Sequence, residues 1–191
     1  MVDLDIAALS RWRLFAMAGA TVSSAALLAG CGDDTKNPQA KTAPDESDTA
    51  DVELLNSVLD LEFASIAAYK AGAGQLRGNR LLVVKGFLEQ EQEHADTLTR
   101  AIRDLDGVPN TAKRRYEFPE LRSSPEVLHH AVGFENNIIA AYIDLLPKIS
   151  QGPIRSTISA ILTCEAEHVA VLAGALQEPQ IPDAFVFGQA S

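Results

Sequence analysis

The stretch EQEHADTL, Glu91 to Leu98, decides how this chain folds. It lies within a stripe of Val84, Phe87, Leu88, Leu98, Ile102 and Leu105, whose spacing predicts a helix from about residue 81 to 105, closed by Gly107 and Pro109. Glu91 falls between Phe87, Leu88 and Leu98, and His94 follows one turn along the same side. A carboxylate and an imidazole on an apolar face need a physical reason, because a bare buried carboxylate protonates or takes a partner.

The same signature returns 74 residues later as Glu165-Ala-Glu-His168, between Leu162 and Leu172. The stripe there, Ile158, Ile161, Leu162, Val169, Leu172 and Leu176, predicts a helix over about 153–176. Two further helices complete the pattern. Leu55, Val58, Leu59, Ile66 and Tyr69 mark one over about 52–72, with Glu62 on its apolar face and GQLRGN ending it. Leu128, Val132, Ile138, Ile139, Tyr142, Ile143 and Leu146 mark another, with Glu135 among them. Ser124 is expected to be its N-cap, with Pro125 at the first helical position, and Pro147 and the SQGP turn end it. The two hairpin turns are short, whereas VPNTAKRRYEFPELRS (108–123) separates helices two and three. Short, long and short connections between four long helices predict an all-α four-helix bundle with a long crossover between helices 2 and 3. The expected domain spans residues 51–178, and the tail 179–191 is too short and Pro-broken to add a fifth helix.

Six polar residues therefore point at one core: Glu62, Glu91, His94, Glu135, Glu165 and His168. No Lys or Arg lies on these stripes to neutralise them. Two divalent cations would balance four carboxylates beside neutral imidazoles, and the mixture of His and carboxylate suits iron, manganese or zinc better than calcium. The chain also repeats itself. EFASIAAY (62–69) matches ENNIIAAY (135–142) at an offset of 73, and the two Glu-x-x-His motifs match at 74. Two hairpins of one plan, related by a pseudo-twofold axis, favour two ions over one.

These residues closely resemble the bacterial ferritin-like superfamily, in particular its exported ferritin-like domain branch, over about residues 51–188. The resemblance implies that Glu62, Glu91, His94, Glu135, Glu165 and His168 are ligands of two iron or manganese ions. It also makes Tyr69 and Tyr142 candidates to hydrogen-bond ligand carboxylates, although core filling is an equal reading of both.

Other residues carry less. Glu89, Glu93 and Asp96 fall on the outward side of helix two with Arg100 and Arg103 and read as a solvated face. His129 and His130 read as rim residues, and Cys164 as a small buried hydrophobe. A net charge of −10 and a pI near 4.8 argue against nucleic-acid binding, which needs a basic surface. Neither Cys31 nor Cys164 belongs to a CxxC pair, so thiolates alone assemble no iron-sulfur or zinc site.

The N-terminus reads as an address. RWRLFAMAGATVSSAALLAGC (11–31) has two arginines, an apolar run and a cysteine, the order of a signal peptide over residues 1–30. Leu28-Ala29-Gly30-Cys31 resembles the bacterial lipobox, which implies cleavage before Cys31 and a lipid anchor on its sulfur at the membrane's outer face. SRWRLF resembles a twin-arginine export signal but departs from it, because Trp12 separates Arg11 from Arg13. Residues 31–50 are polar and aperiodic, the composition of a disordered tether.

Two functions lead, beside an envelope protein whose partner contacts matter more than its metal. The first is a dinuclear oxidoreductase reacting with oxygen or peroxide, of ferroxidase, peroxidase or catalase type and serving in oxidative stress. Peroxidase chemistry would need an external electron donor, since no rubredoxin-like CxxC pairs accompany the domain. The second is a non-enzymatic metal-binding or structural lipoprotein. A homodimer is compatible with either.

Overall fold

The computed structural model describes residues 46–188. Four α-helices follow one another: α1 (Glu46–Gly72), α2 (Gly78–Asp104), α3 (Ser124–Leu145) and α4 (Gly152–Leu176). Short 3₁₀ turns at Ala73–Gln75 and Leu146–Lys148 serve the two hairpins, and among the described residues there is no strand. α1 packs against α2 and α3, and α4 packs against α3 and α2. This is the expected all-α bundle, with residues 105–123 as its long crossover. That crossover is pinned to the outer face of α1, where Asn56 Nδ2 donates to the Val108 carbonyl and Asn110 donates to Asn56 and Asp60. The expected signal peptide, the lipidation site Cys31 and the tether up to residue 45 lie outside the described residues.

Three helix starts differ from expectation, and the simplest is α2, which opens at Gly78 inside the GQLRGN stretch and not at residue 81. α1 begins at Glu46, so residues 46–50, read from composition as tether, are helical. Glu46 and Asp48 complement the positive end of the helix, and Asp48 accepts a 2.7 Å hydrogen bond from Gln151 at the start of α4. The N-cap of α3 is Ser123 and not Ser124. The Ser-x-x-Glu spacing selects it: Ser123 Oγ accepts from the Glu126 amide and donates to Glu126 Oε1, while the Arg122 amide donates to Glu126 Oε2. The tail adds no helix among the described residues, and Gly188, at φ 68°, leaves no room for a Cβ against Asn136 and Ala140 of α3.

The buried apolar side chains form two clusters, one around Leu59, Leu98, Ile138 and Ile161 and one around Tyr69, Phe87, Ala131 and Leu172. Each helix passes from one cluster to the other. On α2, α3 and α4 the buried carboxylates and histidines fall at the crossing, and Glu62 of α1 joins them in one acidic layer from between Leu59 and Ile66 of the first cluster.

Asp51 is a buried carboxylate four residues before Leu55 on the apolar stripe, just outside the helix expected from residue 52. It is 1% exposed and accepts hydrogen bonds from the Ser150 amide at 2.9 Å and the Ser150 hydroxyl at 2.8 Å, tying α1 to the α3–α4 turn. Asp51→Ala would leave that amide and hydroxyl without their acceptor. The expected cost is about 1–3 kcal/mol in urea unfolding, with metal content unchanged because Asp51 belongs to neither donor set.

Candidate metal centre

Glu62 of α1, Glu91 and His94 of α2, Glu135 of α3, and Glu165 and His168 of α4 converge at the middle of the bundle. The four carboxylates are fully buried, and His168 is 1% exposed. His94 Nδ1 lies 2.8 Å from Glu165 Oε1 and 3.7 Å from Glu62 Oε2. His168 Nδ1 lies 3.2 Å from both Glu91 Oε1 and Glu165 Oε2, and 3.6 Å from Glu135 Oε1. α2 and α4 thus run antiparallel through the site, each placing its His beside the other's Glu.

The donor atoms fall into two sets, each within 4.8 Å: Glu62, Glu91, His94 and Glu165 in one, Glu91, Glu135, Glu165 and His168 in the other. Glu91 and Glu165 belong to both and can bridge. Glu62 with His94, and Glu135 with His168, each belong to one half. This is the arrangement expected of the internal repeat.

Hydrogen bonding shows what the donors face. Tyr142 donates to Glu62 Oε1, and Tyr69 donates to Glu135 Oε1, so each tyrosine crosses between α1 and α3 to steady the carboxylate of the other helix. The reciprocal pairing requires α1 and α3 to be antiparallel. The remaining atoms have no such partners. Glu62 Oε2, both oxygens of Glu91 and Glu165, Glu135 Oε2, and Nδ1 of His94 and His168 are buried without a hydrogen bond, although they crowd one another. Buried polar atoms are seldom left so. Carboxylate and imidazole atoms crowded on common points fit cations, and this donor set fits iron, manganese or zinc.

Without cations the cluster is electrostatically strained. Burial raises Glu62, Glu91 and Glu135 against the pull of the facing imidazoles, the last two to about 8. Burial also opposes charge on the histidines, but their facing carboxylates outweigh it and raise His94 to about 11 and His168 to about 12. Glu165 would likewise be raised by burial, yet His168 and His94 draw it down to about 2. Burial and then the adjoining carboxylate, Glu135 for Tyr69 and Glu62 for Tyr142, push both phenols well above 10, so they remain donors. Protons therefore occupy the metal-free site.

The other residues singled out in the sequence stand apart. Glu89, Glu93, Asp96, Arg100 and Arg103 are exposed on the outer side of α2. His129 is exposed, 3.9 Å from Glu178, and His130 is half-buried between Phe118 and Phe134. Cys164 is half-buried rather than core-packed, with Sγ 3.6 Å from His168 Nε2. One contributor escapes a sequence reading altogether. Gln90 is an exposed residue of α2 whose Oε1 accepts a 2.9 Å hydrogen bond from His168 Nε2 on α4. Its only signal is its place immediately before Glu91.

No curated protein matches the chain. Solved structures do: a conserved hypothetical protein from Mycobacterium tuberculosis is 20% identical, with a TM-score of 0.63, over 66% of this chain and 97% of its own. A structure of ferritin-like, diiron-carboxylate proteins from Bacillus anthracis is 22% identical, with a TM-score of 0.60, over 69% and 99%. At these identities the likeness establishes the fold. The family model described as "Ferritin-like domain" matches residues 50–178, the four helices and the whole acidic layer, and the chain belongs to that family.

Proposed function

We propose that Glu62 and His94 hold one divalent ion, Glu135 and His168 a second, and Glu91 and Glu165 bridge the two, with iron or manganese as the resident metal. We further propose that the protein is an oxidoreductase acting with oxygen or peroxide, held at the outer face of the cytoplasmic membrane by a lipid on Cys31. The observation that carries the metal reading is the set of eight buried donor atoms without hydrogen bonds, arranged as two overlapping groups. When bound, a pair of redox-active ions supplies the electron exchange with the oxidant.

The chain's own residues supply the rest. The four carboxylates would cancel the charge of two divalent ions and leave the filled layer neutral. Tyr69 and Tyr142 hold their protons and fix the orientation of Glu135 and Glu62. Phe87, whose ring centroid is 4.0 Å from that of His168, excludes water from one side. The His94 side chain, 11% exposed, is the one donor with an edge towards solvent, and access for a small oxidant is expected there. A peroxidase would also need an external electron donor.

The test is turnover: the chain loaded with ferrous iron should oxidise it under oxygen, or consume peroxide, while the zinc-loaded chain does neither. A second reading has an observation in its favour. Full burial of all four carboxylates suits closed coordination, and hence a non-enzymatic metal-binding role. Tight metal binding without turnover would establish that reading instead.

A further inference from the structure

The internal repeat is broken at one place that matters to the site. An offset of 74 residues superimposes Glu91 on Glu165 and His94 on His168, and it sets Gln90 against Cys164. In one half the amide oxygen of Gln90 accepts from His168 Nε2 at 2.9 Å. Nε2 therefore carries its hydrogen outward, and Nδ1 is the nitrogen presented to Glu91, Glu135 and Glu165. Phe87 packs on the same ring. In the other half the residue in Gln90's place is a thiol, whose sulfur lies one turn along its own helix beside His168 rather than reaching across to His94. Among the described residues no counterpart bond to the outer nitrogen of His94 is seen, and that side chain is the more exposed of the two histidines.

We propose that Gln90 is a positioning residue that makes the two metal positions unequal. By fixing the ring and tautomer of His168 it makes the ion at Glu135 and His168 the retained one, and leaves the ion at Glu62 and His94 exchangeable. The proposal rests on the dinuclear reading above. Its physical basis is general: an acceptor on the outer nitrogen of a ligating imidazole orients the ring and raises its basicity, and loss of such a partner typically weakens metal binding about 10- to 100-fold. Gln90 lies at the bundle surface, so replacing it opens no cavity in the core.

The experiment uses the full chain loaded with cobalt(II) and challenged with a chromophoric chelator in excess. Wild type should release two ions per chain in a fast and a slow phase. Gln90→Leu, which deletes the acceptor, should accelerate the slow phase about 10- to 100-fold and leave the fast phase alone. Gln90→Glu keeps an acceptor at that place and should restore slow release, a rescue that a role in helix packing would not give. Release of both ions in one phase from wild type would overturn the proposal. So would a Gln90→Leu variant that alters neither phase or speeds both equally. A folded chain that takes up no cobalt would refute the dinuclear reading and this proposal with it, an outcome distinct from two bound ions indifferent to Gln90.

Discussion

Glu165→Ala is expected to bind neither ion and, metal-free, to be less stable than wild type by about 3–5 kcal/mol, the usual cost of removing one partner from a buried charge pair. Glu165 is the hub of the layer. It lies 2.8 Å from His94 and 3.2 Å from His168, and of the four carboxylates of the layer it is the one held low, at about 2. Without it two imidazolium rings, with centroids 6.2 Å apart, face each other in the buried layer with their shared counter-charge gone. Urea unfolding of chelator-treated protein reads the stability, and elemental analysis reads the metal. Glu167→Ala, two residues away on the exposed side of α4, is the control and should change stability by no more than about 0.5 kcal/mol. Glu62→Ala should behave differently, because Glu62 serves one donor set only and the other remains complete.

The second large effect is on pH. In the metal-free protein Glu91 and Glu135 titrate near 8 when folded and near 4.5 when unfolded, so between those values the folded state holds more protons and stability falls as pH rises. His94 and His168 act in the same direction. Their contribution is complete below 6.5 and is lost as pH rises towards their folded values of about 11 and 12. Glu165 acts oppositely, but only between about 2 and 4.5, where stability rises with pH. Metal-free protein is therefore expected to be most stable near pH 5 and to lose melting temperature steadily through pH 8 and beyond. Cations must displace these protons, so metal affinity climbs over the same range. The melting-temperature gain on adding metal should widen from pH 5 to pH 8. A metal-free protein that melts higher at pH 8 than at pH 5 would contradict the charge assignment.

Much of this was legible in the sequence because the bundle's period is written twice. The apolar stripes fix four helices, and polar residues that interrupt a stripe in register can only meet at the bundle axis. Glu62, Glu135 and the two Glu-x-x-His motifs needed nothing more, whereas the family resemblance alone makes Tyr69 and Tyr142 candidate carboxylate partners, with core filling an equal reading. What escaped depends on contacts between elements. Gln90 sits on an exposed position of α2, and only the approach of α4 gives its amide a partner. Asp51 is polar at a helix start, and its burial comes from Ser150, far along the chain. The first turn of α1 has no apolar residue to announce it and is held by Gln151. The cap of α3 moved by one residue because Glu126 selects the serine three positions before it. Chain-local patterns reveal which face is buried, whereas the partners of a polar side chain emerge when the faces meet.

Counting metals decides whether the acidic layer is a dinuclear site. The chain is purified without chelator and analysed beside a Glu91→Ala, Glu165→Ala double variant, which lacks both carboxylates common to the two donor sets. Two ions of iron or manganese per wild-type chain and none in the variant are expected. A folded wild-type chain that carries no metal, or a variant that keeps its full complement, would contradict the dinuclear reading.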